Sequence, residues 1–409
     1  MCTAPETARL EVATLLRRYG EAYRERHHPS ADQARAMRAI EACRTEAMGG
    51  HVQACDRCGA LVLRYHSCRD RHCPKCQTLA KERWVEARRD ELLATRHDHV
   101  VFTLPHALNP LIRGNPRRLY GLLFAAAADT LLAFGRDPRW IGGEIGVTLV
   151  LHSWGQNLGQ HVHVHGLVTA GGLSPDGRSW LPARRRFLFP VRALSRVFRG
   201  KYLELLARAH RRGGLAFGGS TAALADPRAF ARFVATLRRA EWVVYAKPPF
   251  AGPEQVVAYL GRYTHRVAVG NDRLVALEDG RVAFRWRDYR DGGRCKVMRL
   301  EAVEFVRRFL LHVLPRGFVR VRHYGLFANR QRRARLARCR ELLAQPEPEA
   351  RPEEDVAAMV RRLTGRDILA CPHCGEGRLR VVAVLSPRRW APQRATGPPR
   401  PGPTVGTAS

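Results

Sequence analysis

Three histidines on alternate positions, His161, His163 and His165 within Gln160-His-Val-His-Val-His-Gly-Leu-Val168, are the most chemically pointed feature of the sequence. In a β-strand alternate residues share a face, so the three imidazoles would project from one side and Val162 and Val164 from the other. Neutral imidazole is a favoured ligand for divalent transition metals, and two on one strand face are close enough to share an ion. A solvated strand rich in histidine would show the same pattern.

A second chemistry is carried by cysteine. Cys55-Asp-Arg-Cys58 and Cys73-Pro-Lys-Cys76 are two Cys-x-x-Cys knuckles within about 20 residues of each other, the ligand spacing of a structural zinc ribbon. Each knuckle supplies two thiolates and a hairpin would close the distance, so Cys55, Cys58, Cys73 and Cys76 are expected to hold one Zn²⁺. Cys68, His51, His66 and His72 are surplus to that site and leave room for ligand exchange or a second ion. A further knuckle, Cys371-Pro-His-Cys374, has no partner after it, so either Cys339 or histidines complete it or it binds no metal.

Composition narrows what such groups act on. The 409 residues, 45% hydrophobic, suffice for two or three structural units with at least one sizeable core. Lys and Arg total 70 against 37 Asp and Glu, a formal charge of +33 that favours a polyanionic partner, nucleic acid before membrane. No apolar run of about 18 residues and no amino-terminal signal pattern stands out, so a cytoplasmic, nucleoid-associated protein without a membrane partner is expected. Eleven cysteines in that setting read as metal ligands rather than disulfides.

The elements that must position these groups follow from periodicity. Residues 1–50 read as two packed helices, the second over Asp32 to Ala47. Further on come a strand at Val100–Leu104, a helix from Pro116 to Phe134, and a strand at Ile145–Leu151. A Gly/Asn-rich turn leads to the histidine strand. Helices near Val191–Ala209 and Pro227–Arg239 precede a strand at Trp242–Ala246. Strand, helix, strand, strand, helix, strand is the succession of a ferredoxin-like split βαβ sheet, so the fold class is α+β with the histidines on a central antiparallel strand. After it, Pro253 to Arg266 reads as a helix on which Tyr259 and Tyr263, four apart, share a face; such a pair is usually packing. A helix there can lie across the histidine-bearing face. Hairpins over 267–300, a helix from Ala302 to Val313 and an Arg-dense stretch from Arg316 to Arg340, read as a basic helix on a phosphate backbone, complete the body. The expected division is a helical and zinc-ribbon DNA-binding domain (1–97), a catalytic domain (98–345), and a linker, possible knuckle and disordered Pro/Arg-rich tail (346–409).

His163-Val164-His165 resembles the His-hydrophobe-His motif of the HUH single-strand endonucleases, and Tyr259-x-x-x-Tyr263 resembles their two-tyrosine arrangement. Trp154-Gly-Gln-Asn-Leu158, Tyr259-Leu-Gly-Arg-Tyr-Thr-His-Arg266 and the upstream Arg71-His-Cys-Pro-Lys-Cys-Gln77 are similar to IS-ninety-one-type insertion-sequence transposases. The resemblance spans roughly residues 10–345. The sequence departs from that pattern with Val162 where the family often has Pro, and Gly166 where it has Cys. Val162 creates two overlapping His-x-His pairs, and the alignment assigns His163 and His165.

The resemblance implies a metal-dependent transposase with an HUH endonuclease sheet. A catalytic Mg²⁺ or Mn²⁺ would sit on His163 and His165, with Gln156, His161 or His265 as third ligand. Tyr259 and Tyr263 would be nucleophiles that cleave and rejoin single-stranded DNA through a 5′-phosphotyrosine, as in rolling-circle transposition. A replication initiator or relaxase would share that chemistry. A non-catalytic zinc-ribbon DNA-binding protein would retain only the cysteines and the charge.

Overall fold

The structure, a computed structural model, describes residues 10–184, 188–247, 254, 257–258, 261, 268–289, 291–349, 351 and 353–388. Helices α1 (Val12–Arg26) and α2 (Ala31–Ala42) lead to the hairpin β1 (Gly50–Cys55) and β2 (Leu61–Tyr65), then α3 (Thr78–Asp90) and β3 (His97–Thr103). Helices α4 (Asn109–Gly114) and α5 (Pro116–Arg136) precede the long hairpin β4 (Glu144–Trp154) and β5 (Gln160–Leu173), with a short β6 (Trp180–Pro182). After α6 (Val191–Arg211), α7 (Pro227–Arg239) and β7 (Val244–Lys247) come β8 (Leu274–Glu278), β9 (Arg281–Asp288), β10 (Arg294–Glu301) and α8 (Ala302–Leu310). The chain continues through β11 (Val321–Gly325), α9 (Arg332–Leu342), α10 (Val356–Thr364) and β12 (Leu379–Leu385).

Local sequence explains the helix limits. Ser30 and Gln33 form a capping box at the start of α2, satisfying two otherwise orphaned N–H groups. Asp226 accepts from Ala229 N at 2.6 Å while Pro227 occupies the first turn of α7. Helix α2, expected to reach Ala47, stops at Ala42, and Arg44 takes a left-handed φ of 57°.

The main sheet runs β11-β4-β5-β3-β7 with every pairing antiparallel. Without the added edge strand β11, its order is that of the ferredoxin-like split βαβ fold, and the histidine strand β5 sits between β4 and β3. Period-2 alternation sorts the two faces. Val162, Val164 and Val168 of β5 join Val147, Leu149 and Leu151 of β4 in a core closed by α5, α6 and α7. Each such fully buried aliphatic side chain contributes roughly 1.5–3 kcal/mol. Helix α5 is apolar and long enough to cross a membrane by length and composition, but Leu119, Leu123, Phe124 and Leu131 are buried in that core.

Packing crosses the boundaries expected at residues 97 and 345. Helices α1 and α2 share a second core with the β8-β9-β10 sheet and α8, through Leu15, Leu16, Met37, Phe284, Phe305 and Phe309. At the other end of the chain, β12 pairs antiparallel with β1, so the first hairpin becomes the three-stranded sheet β12-β1-β2.

Candidate metal centres

The face of the main sheet opposite the helical core carries the histidines. In the register of β4 with β5, His152 lies opposite His163 and Val150 opposite His165, so His152 joins the same face. The ligand-capable atoms of His152, His163 and His165 all lie within 4.8 Å of one another, and all three residues are buried. Ring centroids are 4.2 Å apart for His152 and His165 and 4.8 Å for His163 and His165.

Hydrogen bonds fix how the rings point. Nδ1–H of His163 donates to the carbonyl of His161 at 2.8 Å, which leaves Nε2 as the bare nitrogen. Nδ1 of His165 is 2.8 Å from Nε2 of His99 on β3, a partner that can orient a ligating imidazole from behind. Burial holds His163 neutral, down at about 3, and pushes His152 and His165 well below the ordinary histidine range, with the neighbouring imidazoles adding to the effect. His99 falls to about 4 for the same reason of burial. Three neutral nitrogens converging from two strands are a donor set fit for a divalent cation.

His161 is not part of this group. It lies further toward the turn, half-buried, with Nδ1 3.0 Å from Nε2 of the exposed His106. Gln156 lies in the turn between the strands, where its backbone carbonyl accepts from the Arg273 guanidinium at 2.5 Å. Tyr259, Tyr263 and His265 lie outside the described residues. Their neighbours in sequence do not: Glu254, Val257, Ala258 and Gly261 are helical, and Val257 is buried with Val85 of α3, Val150 and Leu167. Val150 and Leu167 share the histidines' face, so Val257 seats on that side of the sheet. A Cβ at Gly261 would overlap Val85 Cγ2, so glycine lets this segment approach α3 closely.

The β4–β5 turn is pinned by the second core. Leu158 holds a left-handed φ of 62° although fully buried, and its carbonyl accepts from Nε2 of His312 at 3.1 Å. Arg320, buried behind the site, donates to Leu151 O at 3.0 Å and lies 4.8 Å over the Trp154 ring; burial lowers it to about 9.

The cysteines are grouped differently from the expectation. Cys73 and Cys76 share a cluster with Cys43 and Cys68, while Cys55 and Cys58 share another with Cys371 and Cys374. The expected single shell of Cys55, Cys58, Cys73 and Cys76 is therefore corrected. The reason is geometric: the Cys55–Cys58 knuckle is at the tip of the β1–β2 hairpin and the Cys73–Cys76 knuckle lies beyond its base, and a strand of that length spans roughly 17 Å. Tetrahedral Zn–S bonds of about 2.3 Å place sulfurs about 3.8 Å apart. In the first cluster the separations are 3.5 Å for Cys43–Cys76 and 3.7 Å for Cys68–Cys76 and Cys73–Cys43, a fit for structural zinc.

The Arg-dense stretch also does less at the surface than its composition indicated. Arg332 pairs with Glu91, Arg335 with Glu144, and the buried Arg340 with Glu347 and the Asp90 carbonyl, leaving Arg316, Arg330 and Arg333 exposed.

A ferredoxin-like sheet bearing a cluster of buried imidazoles, joined to a domain with two clusters of four cysteines, defines a class of protein equipped to bind metal at several sites. A family model described as a putative transposase matches residues 146–335, and one described as a transposase zinc-binding domain matches residues 15–104. The chain is 52% identical to the putative transposase y4qJ of Sinorhizobium fredii (strain NBRC 101917 / NGR234), over 95% of this chain and 97% of that protein. It is 27% identical to the transposase for insertion sequence element IS801 of Pseudomonas savastanoi pv. phaseolicola, over 84% of this chain and 82% of that one. No solved structure matches. The chain belongs to the IS-ninety-one-type transposase family, whose members act on DNA as endonucleases and strand transferases.

Proposed function

We propose that this transposase cleaves and rejoins single-stranded DNA by an HUH mechanism in rolling-circle-type transposition, with His163, His165 and His152 as the metal ligands and Tyr259 and Tyr263 as the nucleophiles. The observation that carries this reading is the convergence of three buried neutral imidazoles on the sheet face against which Val257 packs, two residues before Tyr259 in sequence. His161 remains a candidate only for the rim of the site, paired with His106. A bound Mg²⁺ or Mn²⁺ would polarise a non-bridging oxygen of the scissile phosphate.

The rest is done by the chain. His163 and His165 present fixed nitrogens because their other ring atoms are tied to the His161 carbonyl and to His99. A tyrosine oxygen attacks phosphorus, the bond from phosphorus to the 3′ oxygen breaks, and the phenolic proton is lost as the 3′ oxygen gains one. The products are a 5′-phosphotyrosine and a free 3′-OH; the retained ester bond lets the reverse attack rejoin strands without ATP. Two tyrosines allow a second strand to be cut while the first stays attached.

The test is incubation with single-stranded oligonucleotides from the termini of the element, plus Mn²⁺, followed by denaturing electrophoresis. A covalent protein–DNA band that disappears in Tyr259→Phe/Tyr263→Phe is expected. Absence of the band in the wild type, or its survival in the double variant, overturns the assignment.

A further inference from the structure

We propose that Cys55, Cys58, Cys371 and Cys374 form a second zinc site, shared between the two ends of the chain, and that this metal clasps the C-terminal segment onto the N-terminal zinc domain. The proposal is independent of the nicking chemistry. Half of its ligands lie outside both matched family regions, which end at residues 104 and 335.

The two knuckles share a turn geometry. In the first, Cys58 N and Arg57 N point at Cys55 Sγ at 3.5 and 3.4 Å, Gly59 N donates to Cys55 O at 3.1 Å, and Gly59 takes a φ of 70°. In the second, His373 N points at Cys371 Sγ at 3.4 Å, Gly375 N donates to Cys371 O at 3.0 Å, and Gly375 takes a φ of 72°. N–H groups aimed at sulfur stabilise thiolate, the form that ligates metal. The knuckles face each other: Cys55 and Cys374 sulfurs are 3.7 Å apart, as are those of Cys58 and Cys371, close to the tetrahedral zinc spacing of about 3.8 Å. Asp56 and Arg378 exchange backbone and side-chain hydrogen bonds across the junction, and a Cβ on Gly377 would collide with Cys55 Sγ.

The docked segment has few strong side-chain contacts of its own. Val381, Val382 and Val384 of β12 are 57%, 58% and 75% exposed, so the strand buries little apolar surface. Helix α10 contributes one buried residue, Met359, and Arg362 of the helix with Arg351 ahead of it makes surface pairs with Glu86 and Asp90 of α3. Exposed ion pairs contribute little each. Beyond the β1–β12 ladder, a closed tetrathiolate site is the strong contact available, because structural zinc couples directly to folding. The clasp thereby also holds α10 against α3.

Zinc per chain, measured by mass spectrometry on the full-length protein, is expected to be two, falling to one in Cys371→Ser/Cys374→Ser. In that variant trypsin should cut between Arg351 and Arg362 at least tenfold faster. Cys371→His, which keeps a ligand, should retain two zinc ions and the slow cleavage. In cobalt-substituted protein the thiolate-to-cobalt absorbance per chain should halve in the double serine variant. One zinc in the wild type, two zinc ions in the double variant, or iron in place of zinc would overturn the proposal.

Discussion

Gly261 gives the sharpest test of how the segment bearing the proposed nucleophiles is held. It is helical, Tyr259 and Tyr263 lie two residues to either side in sequence, and an added Cβ would overlap Cγ2 of Val85, with Val85 Cβ at 3.6 Å and Trp84 Cε3 at 3.8 Å. Intrinsic propensity alone says that Gly261→Ala should stabilise a helical position, by up to about 1 kcal/mol. Overpacking opposes it with a cost of roughly 1–3 kcal/mol, since Val85 is only 4% exposed and its branched side chain has no free rotamer to retreat into. The net expectation is destabilisation of about 1 kcal/mol. Val85→Ala alone removes about two methylene equivalents, a loss of roughly 1.6 kcal/mol plus a cavity term. In the double variant the new methyl enters the space that was vacated, so a favourable coupling of about 1–2 kcal/mol is expected. Urea denaturation of the four proteins gives the cycle, and covalent adduct yield with single-stranded DNA should fall in Gly261→Ala and recover in the double variant. A more stable Gly261→Ala with unchanged adduct yield would refute the close packing against α3.

Further outcomes follow from other sites. His152→Ala should raise the Mn²⁺ concentration needed for half-maximal adduct formation by at least tenfold; an unchanged midpoint would remove His152 from the ligand set. His97 and His312 are both lowered to about 4 by burial, against about 6.5 unfolded, so the unfolded state binds more protons between those values and stability falls as pH drops through that window. From pH 7 to 5 each should cost roughly 2 kcal/mol, and denaturation midpoints for His312→Asn should show a shallower decline than wild type. Gly377→Ala should drive its methyl into Cys55 Sγ and lower zinc content from two ions toward one while leaving the Cys43 cluster loaded, which metal analysis would read directly.

Much of the fold was legible because its signals are local. Helix α7 begins where Asp226-Pro227 announces it, and the order of strands and helices was enough to place β5 at the centre of an antiparallel sheet. The third imidazole escaped notice for a boundary reason: the apolar run of β4 fades after Leu151, yet the strand continues to Trp154 and carries His152 opposite His163. The cysteine grouping was not readable, since Cys-x-x-Cys spacing specifies knuckles and not which knuckles meet. Cys43 has no nearby cysteine in sequence to mark it, and the partner of Cys55 lies 319 residues away. Arginine density was misleading in the same way, because charge in sequence does not reveal whether Glu91 or Glu144 waits across a fold.

The shared tetrathiolate site also imposes an order on synthesis. The Cys43 cluster is complete once residue 76 has left the ribosome, whereas Cys55 and Cys58 wait for the last knuckle, about 300 residues later. At 5–20 residues per second that interval lasts roughly 15–60 s. Throughout it β1 has one bare edge, since its partner on that side is β12. On the proposed site, a nascent or prematurely ended chain carries two cysteines without their partners beside an open strand, and only translation through Cys374 completes both.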